Sequence, residues 1–157
     1  WYNNFKSQGR RLSKDTLYDY LYYLEESLFL ITISNRANPQ AARKLYLVDN
    51  GLYQTLRNKP DTGQLWENAC FLELRRKGKK PDFWLDEKGE IDFVTETELI
   101  QVCLSLHEGN KEREMNSLVR GMKQIPGKKP VIWTREPSTE DIPENLITSR
   151  AGLLSGD

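Results

Sequence analysis

Residues 89–94 read GEIDFV, residues 95–98 read TETE and residues 99–105 read LIQVCLS, and this stretch carries the side chains most suited to chemistry. Apolar and polar side chains alternate with a period of two in both arms, which predicts two β-strands joined by a short polar turn. If the strands pair as antiparallel neighbours, their polar faces lie on the same side of the sheet. The side chains that we expect to converge there are Glu90, Asp92, Gln101 and Cys103.

The start of the chain predicts a winged-helix-like region over residues 1–57. Ser13 is a typical N-cap for a helix over residues 14–27, in which leucines recur every three or four positions. Predicted strands over residues 29–34 and 44–48 form a hairpin that corresponds to the wing.

After a polar break rich in Pro and Gly, residues 63–157 predict a second domain. Its further predicted elements are a helix over 64–77, a strand over 82–86, a turn over 108–110, a helix that ends near Gly127, and strands over 130–134 and 146–149. The strand–helix–strand passage predicts a parallel crossover. We therefore predict an α+β fold with an α/β/α-like core, a mixed sheet flanked by helices.

Composition excludes several classes of protein. The 23 basic and 23 acidic residues cancel, so no net charge draws the chain to nucleic acid or to a membrane. Two cysteines, Cys70 and Cys103, cannot build a disulfide framework, and both lie in apolar runs, which predicts a reducing cytoplasm. We find no apolar run long enough for a membrane helix and no leader peptide. The start at Trp1 predicts that a longer parent chain exists.

Three motifs carry a resemblance to a known family. They are KLYLVDNG at residues 44–51, GQLWEN at residues 63–68 and GEIDF at residues 89–93. Their order and spacing resemble the C-terminal domain of unknown function that follows the ATPase module in many archaeal and bacterial AAA-type ATPases. The second domain also resembles the restriction-endonuclease-like PD-(D/E)XK core, in which acidic residues bind a divalent metal that activates water against a phosphodiester.

The resemblance implies roles for four residues. Glu67 corresponds to the helix acid, Asp92 to the central metal-binding aspartate, Gln101 to the second acidic position, and Cys103 to the lysine position. The implied ligands of Mg²⁺ or Mn²⁺ are therefore Glu67, Asp92 and Gln101.

Two of these four positions depart from the pattern, which predicts a degenerate site. A glutamine carbonyl can contact a metal, but a thiol cannot replace the positive charge of lysine beside an attacking hydroxide. Lys88 or Lys111 could supply that charge from a neighbouring element. The alternative is purely structural: Glu67 and Asp92 as ordinary acids, with Cys70 and Cys103 as small buried hydrophobes.

The resemblance also implies a partner on the same polypeptide. No Gly-x-x-x-x-Gly-Lys-Ser/Thr phosphate loop occurs in the chain, so ATP binding is expected only in an upstream ATPase module. His107, the one histidine, is expected to be a surface or loop residue.

Nucleic-acid contact is expected from basic clusters and not from the predicted recognition helix. Residues 14–27 hold one basic and four acidic side chains, a poor match to phosphates. The candidate contacts are Arg10, Arg11, Arg75, Arg76, Lys79 and Lys80, although basic residues at a helix end are commonly solvated.

Three functions are consistent with the sequence. The first is a degenerate nuclease-like accessory domain that binds DNA or a protein partner and does not itself catalyse a reaction. The second is an active nuclease that depends on a divalent metal. The third is a structural module that mediates protein interaction or homo-oligomerisation.

Overall fold

The computed structural model describes residues 7, 12–40, 42–56 and 61–137, together with the backbone of residues 147–150. Arg10 and Arg11 and the start of the predicted winged-helix region lie outside the described residues, so that part of the prediction stays a prediction. None of the described helices is long and apolar enough to cross a membrane.

The architecture is α+β, as the sequence predicts. The helices are α1 (Lys14–Glu26), α2 (Asn50–Leu56), α3 (Thr62–Arg76) and α4 (Glu108–Gln124). The strands are β1 (Leu30–Ser34), β2 (Arg43–Leu47), β3 (Asp82–Asp86), β4 (Gly89–Val94), β5 (Glu98–Cys103), β6 (Lys129–Thr134) and β7 (Ile147–Arg150).

Two sheets form from these strands. Strands β1 and β2 make an antiparallel hairpin, and the other five form a mixed sheet in the order β3-β4-β5-β6-β7. Strand β4 pairs antiparallel with both β3 and β5, whereas β6 is parallel to β5 and β7. Helix α4 connects β5 to β6, so the predicted parallel crossover is confirmed.

Helices cover both faces of the mixed sheet. On one face Phe71 and Leu74 of α3 belong to a buried cluster with Phe83, Phe93 and other sheet residues. On the other face Leu118 of α4 belongs to a second cluster, with Ile91, Leu99 and Ile132 among its members. Helix α4 lies close to the sheet at Gly121, where a Cβ atom would come within 3.0 Å of Ile91.

A β-bulge interrupts β4 beside the predicted site. Asp82 pairs with Val94 and Trp84 pairs with Ile91, so two steps along β3 correspond to three along β4. Ile91 and Val94 consequently both face α4, although they are three positions apart and strict alternation would place them on opposite faces. Such a bulge changes the direction of the side chains next to it. The strict alternation predicted for this strand is therefore wrong.

The start of α4 also differs from the prediction. Residues 108–110, predicted as a turn, form the first turn of the helix, and His107 is its N-cap. The Nδ1 atom of His107 accepts a hydrogen bond from the backbone N–H of Gly109 at 3.2 Å. The helix ends at Gln124, before the predicted end near Gly127.

The β1–β2 hairpin packs on the mixed sheet and on α3. The Asn35 side chain donates to the carbonyl of Leu85 at 3.0 Å and accepts from its N–H at 3.1 Å, which attaches the end of β1 to the edge strand β3. Ile33 and Tyr46 belong to the same buried cluster as Phe71. The two predicted domains, 1–57 and 63–157, thus share a hydrophobic core.

Candidate functional site

Helix α3 places Glu67 between the hairpin and the mixed sheet. Asp61 caps the helix, since its side chain accepts hydrogen bonds from the N–H groups of Gly63 at 2.9 Å and Gln64 at 3.3 Å. One turn later, the Glu67 side chain retains 25% of its exposure. It is therefore half-buried at the rim of the core and still reachable from solvent.

The ammonium group of Lys44 lies at the centre of the site. Its Nζ atom donates to Glu67 Oε1 at 2.8 Å and to Asp92 Oδ1 at 3.1 Å. It also forms an ion pair with Glu90 Oε1. One lysine from β2 thus contacts three carboxylates, one supplied by α3 and two by β4.

Tyr46, two residues further along β2, points to the same side and holds Glu67 in place. Its hydroxyl group donates to Glu67 Oε1 at 2.6 Å. The Tyr46 ring stacks on Phe71 with 4.2 Å between centroids, and the residue is only 4% exposed. Burial, then the neighbouring Glu67 carboxylate, raises the pKa of Tyr46, so the hydroxyl remains a donor.

Asp92 lies where β4 separates from β5. Its Oδ2 atom accepts a hydrogen bond from the backbone N–H of Val102 at 2.9 Å, and its Oδ1 atom is the one that contacts Lys44. Both oxygens of this buried carboxylate therefore already have donors from the protein. The bulge makes this possible, because it directs Asp92 towards the α3 side of the sheet.

Charge is concentrated in this cluster. Burial raises the pKa of Asp92 to about 7; Lys44 opposes the rise, and the Glu67 and Glu90 carboxylates add to it. Burial alone would lower the pKa of Lys44, but the carboxylates of Asp92, Glu67 and Glu90 outweigh it and raise that pKa above the usual lysine value. The three carboxylates therefore favour the charged form of Lys44.

Gln101 and Cys103 lie on the opposite side of the sheet from Glu67. Strand β5 pairs in regular register with β6 along its length, so its side chains alternate. Val102 packs against the α3-side cluster, and Cys103 packs against the α4-side cluster. The expected convergence of Gln101 and Cys103 with Asp92 on one face is therefore wrong, because the bulge redirects Asp92 while β5 stays regular.

Neither Gln101 nor Cys103 supplies the chemistry of the acid and the lysine that the resemblance implies at these positions. Gln101 is 8% exposed, and its carbonyl oxygen has no hydrogen-bond partner among the described residues. Burial, followed by the Glu114 carboxylate, raises the pKa of the Cys103 thiol to about 12. A neutral thiol supplies neither the positive charge of a catalytic lysine nor a thiolate ligand.

The side chains in the cluster do not fit the divalent metal that the resemblance implies. All three carboxylates contact the Lys44 ammonium, and the amide implied as third ligand lies on the other face. Within the described ranges, no group of three or more His, Cys, Asp or Glu side chains is arranged to hold a metal ion. Hard cations such as Mg²⁺ need several free oxygen ligands around one point.

Lys44 is the residue of this cluster that the sequence analysis missed. The expected substitutes for the absent lysine were Lys88 and Lys111, but Lys88 is exposed in the β3–β4 turn. Lys111 belongs to the first turns of α4. The first motif did contain a signal: Lys44 and Tyr46 are two positions apart on one predicted strand and therefore share a face.

The basic residues proposed for nucleic acid are partly engaged within the protein. Arg76 and Lys77 form ion pairs with the buried Glu73, and Lys79 lies 3.8 Å from Glu96. Arg75 donates to the carbonyl of Lys79 at 3.4 Å, and Arg75 and Lys80 both line a cleft of about 190 Å³ beside β1.

Comparison with known proteins provides one relative. A curated protein of Methanocaldococcus jannaschii, Uncharacterized protein MJ1544, is 32% identical over 133 residues, which cover 78% of this chain and 30% of the relative. The chain thus spans less than a third of the length of that protein. No protein-family model matches the chain, and no solved structure matches it.

Proposed function

We propose that this chain is a nuclease-like accessory module whose former catalytic centre is now a structural charge cluster, and that it binds a partner without cleaving nucleic acid. One observation carries the proposal: a single ammonium contacts Glu67, Glu90 and Asp92 together. Phosphodiester hydrolysis of the type expected for this fold needs these oxygens free for metal.

The module's place in a larger protein is part of the proposal. The three sequence motifs support a position after the ATPase module of an AAA-type ATPase, and the Methanocaldococcus relative is much longer than the matched region. ATP binding and hydrolysis belong to that upstream module. We also propose a cytoplasmic location, because Cys70 and Cys103 are both free thiols and Cys70 is fully buried.

A cleavage assay tests the proposal. Supercoiled plasmid, single-stranded DNA and RNA are incubated with the chain in Mg²⁺ or Mn²⁺, beside an Asp92→Ala variant. We expect the two proteins to show the same background. Metal-dependent cleavage by the unaltered chain that disappears in Asp92→Ala would refute the proposal that the site is inactive.

The surface of α1 favours a protein as the partner. Four tyrosines on this helix are each more than half exposed: Tyr18, Tyr20, Tyr22 and Tyr23. Exposed tyrosine is enriched at protein interfaces, and the acidic neighbours Asp15 and Asp19 disfavour phosphate. In the chain joined to its upstream module, Tyr20→Ser with Tyr23→Ser should lower the sedimentation coefficient of a homo-oligomer, while Lys88→Ser should not.

Nucleic acid is the second candidate, and the cleft with Arg75 and Lys80 is the observation that favours it. The assay is fluorescence anisotropy of a labelled duplex at ~50 and ~200 mM salt. Binding through phosphates weakens steeply with salt and falls further in Arg75→Gln with Lys80→Gln. If neither the salt concentration nor the double substitution alters the affinity, the proposal that nucleic acid binds in this cleft is refuted.

A further inference from the structure

The position of Lys44 explains why the carboxylates do not fit a metal. Three carboxylate oxygens approach its Nζ atom, and they belong to Glu67, Asp92 and Glu90. A divalent ion held by the same three groups would have to occupy the same space. The cluster therefore already contains a cation, and that cation is covalently part of the chain.

We infer that the Lys44 ammonium occupies the position of the divalent metal, so that the site excludes metal while Lys44 is present and admits one when the ammonium is removed. This inference rests on the proposed function and deepens it. It assigns the loss of catalysis to occupation of the site by Lys44 in addition to the changes at Gln101 and Cys103.

The surroundings of Lys44 favour the ammonium over a free ion. Its Nζ atom lies 5.6 Å from the centroid of the Phe83 ring, which attracts a cation. The side chain is 20% exposed, so most of its stem is packed. Because the hairpin is attached to the sheet through Asn35, the ammonium is held at a high effective concentration that a dissolved ion must overcome.

The alternative role for Lys44 is that of the catalytic lysine, now supplied by β2 in place of β5. In that role the ammonium faces the attacking water, and the carboxylates remain available to the metal. Here it bonds to the carboxylates themselves, and Asp92 has its second oxygen on the Val102 N–H. The geometry is that of a counter-ion.

The test compares Mn²⁺ binding by calorimetry in the unaltered chain, in Lys44→Met and in the control Lys88→Met. Methionine keeps the length of the stem and removes the charge. We expect Lys44→Met to bind one Mn²⁺ at least about tenfold more tightly than the other two proteins. Adding Asp92→Asn to Lys44→Met should abolish the gain.

Two results would overturn the inference. One is equal Mn²⁺ affinity in the unaltered chain and Lys44→Met, and the other is a folded Lys44→Met variant that binds no Mn²⁺. If Lys44→Met does not fold, Mn²⁺ should restore its circular dichroism spectrum where NaCl at equal ionic strength does not; failure to do so counts against the inference. Lys44→Arg, which keeps the charge, should bind no more Mn²⁺ than the unaltered chain.

The cleavage assay separates this inference from the proposed function. Metal-dependent cleavage by the unaltered chain refutes the proposed function. No cleavage, combined with no gain of Mn²⁺ binding in Lys44→Met, leaves the proposed function intact and refutes only the role assigned to Lys44.

Discussion

Helix α3 carries two glutamates: one pairs with a basic residue that is distant in the sequence, and the other pairs with basic residues close to it in the sequence. Glu67 receives Lys44 from a strand 23 positions earlier in the sequence, and it shares that lysine with Asp92 and Glu90. Glu73 receives Arg76 from the last position of its own helix and Lys77 from the C-cap, three and four positions later.

The two arrangements differ in the cost of losing a partner. Arg76 is 65% exposed and Lys77 is 49% exposed, so either base can return to water. Lys44 and Asp92 are largely enclosed, and a carboxylate left there without its cation has little solvent to replace it. A local ion pair adds to a helix that forms anyway, whereas the long-range cluster holds separate elements together.

Removal of the shared lysine should have the largest effect. In Lys44→Met three carboxylates lose their common cation, and we expect a loss of about 3–5 kcal/mol in the free energy of unfolding. Urea titration followed by circular dichroism measures it. Lys88→Met, an exposed turn position, should change by less than about 0.5 kcal/mol. Equal values for the two variants would show that the cluster contributes nothing to stability.

Asn68 tests the attachment of the hairpin without changing charge. Its side chain accepts from the Leu47 N–H at 2.9 Å and donates to the Leu47 carbonyl at 3.0 Å and to Asn50 Oδ1 at 2.8 Å. Asn68→Ala should cost about 2–3 kcal/mol because these buried groups lose their partners. The control is Asn116→Ala on the exposed face of α4, and a comparable loss there would argue against a specific role for Asn68.

The contribution of the Glu73 ion pairs to stability should depend on pH. Hydrogen bonds from Arg76, then from Lys77, lower the pKa of Glu73 below its usual 4.5, against the effect of burial. The folded state therefore binds fewer protons than the unfolded state just below pH 4.5, and the contribution of these ion pairs is complete above that pH and lost as pH falls.

Thermal unfolding of Glu73→Gln and the unaltered chain between pH 3 and 7 measures this contribution. The difference in melting temperature between the two proteins should be largest at neutral pH and should disappear in acid. Glu87→Gln, in the exposed β3–β4 turn, serves as the control. A gap that widens in acid would contradict the assigned sign.

The smallest effect is expected at Gln101. Its buried carbonyl oxygen has no partner among the described residues, so Gln101→Met, of similar shape, should be neutral or stabilise the chain by up to about 1 kcal/mol. Urea titration beside exposed Gln124→Met would detect it. A clear loss of stability would mean that the carbonyl has a ligand after all.

Much of the fold follows from local patterns. Ser13 caps α1 by accepting from the N–H of Thr16 at 3.0 Å, and the alternation in β5 is regular as predicted. Strand β4 has the same period in sequence, yet the bulge at Asp92 breaks it. A bulge depends on how β3 pairs with β4, which no single strand encodes.

Only part of the candidate site was predicted, because the site also depends on how separate elements pair. Glu67 and Asp92 meet around one point, as the motifs led us to expect, but Gln101 and Cys103 do not join them. The lysine at the centre of the cluster is on β2, and only the docking of the hairpin on α3 brings Lys44 there.

Side-chain periodicity and capping act over a few residues, so the helices, most strands and the parallel crossover could be predicted from the sequence. Which charges meet depends on the packing of distant elements. Lys44, Glu67 and Asp92 are far apart along the chain, and their electrostatic energy depends on a separation and a degree of burial that exist only after the hairpin, the helix and the sheet have packed.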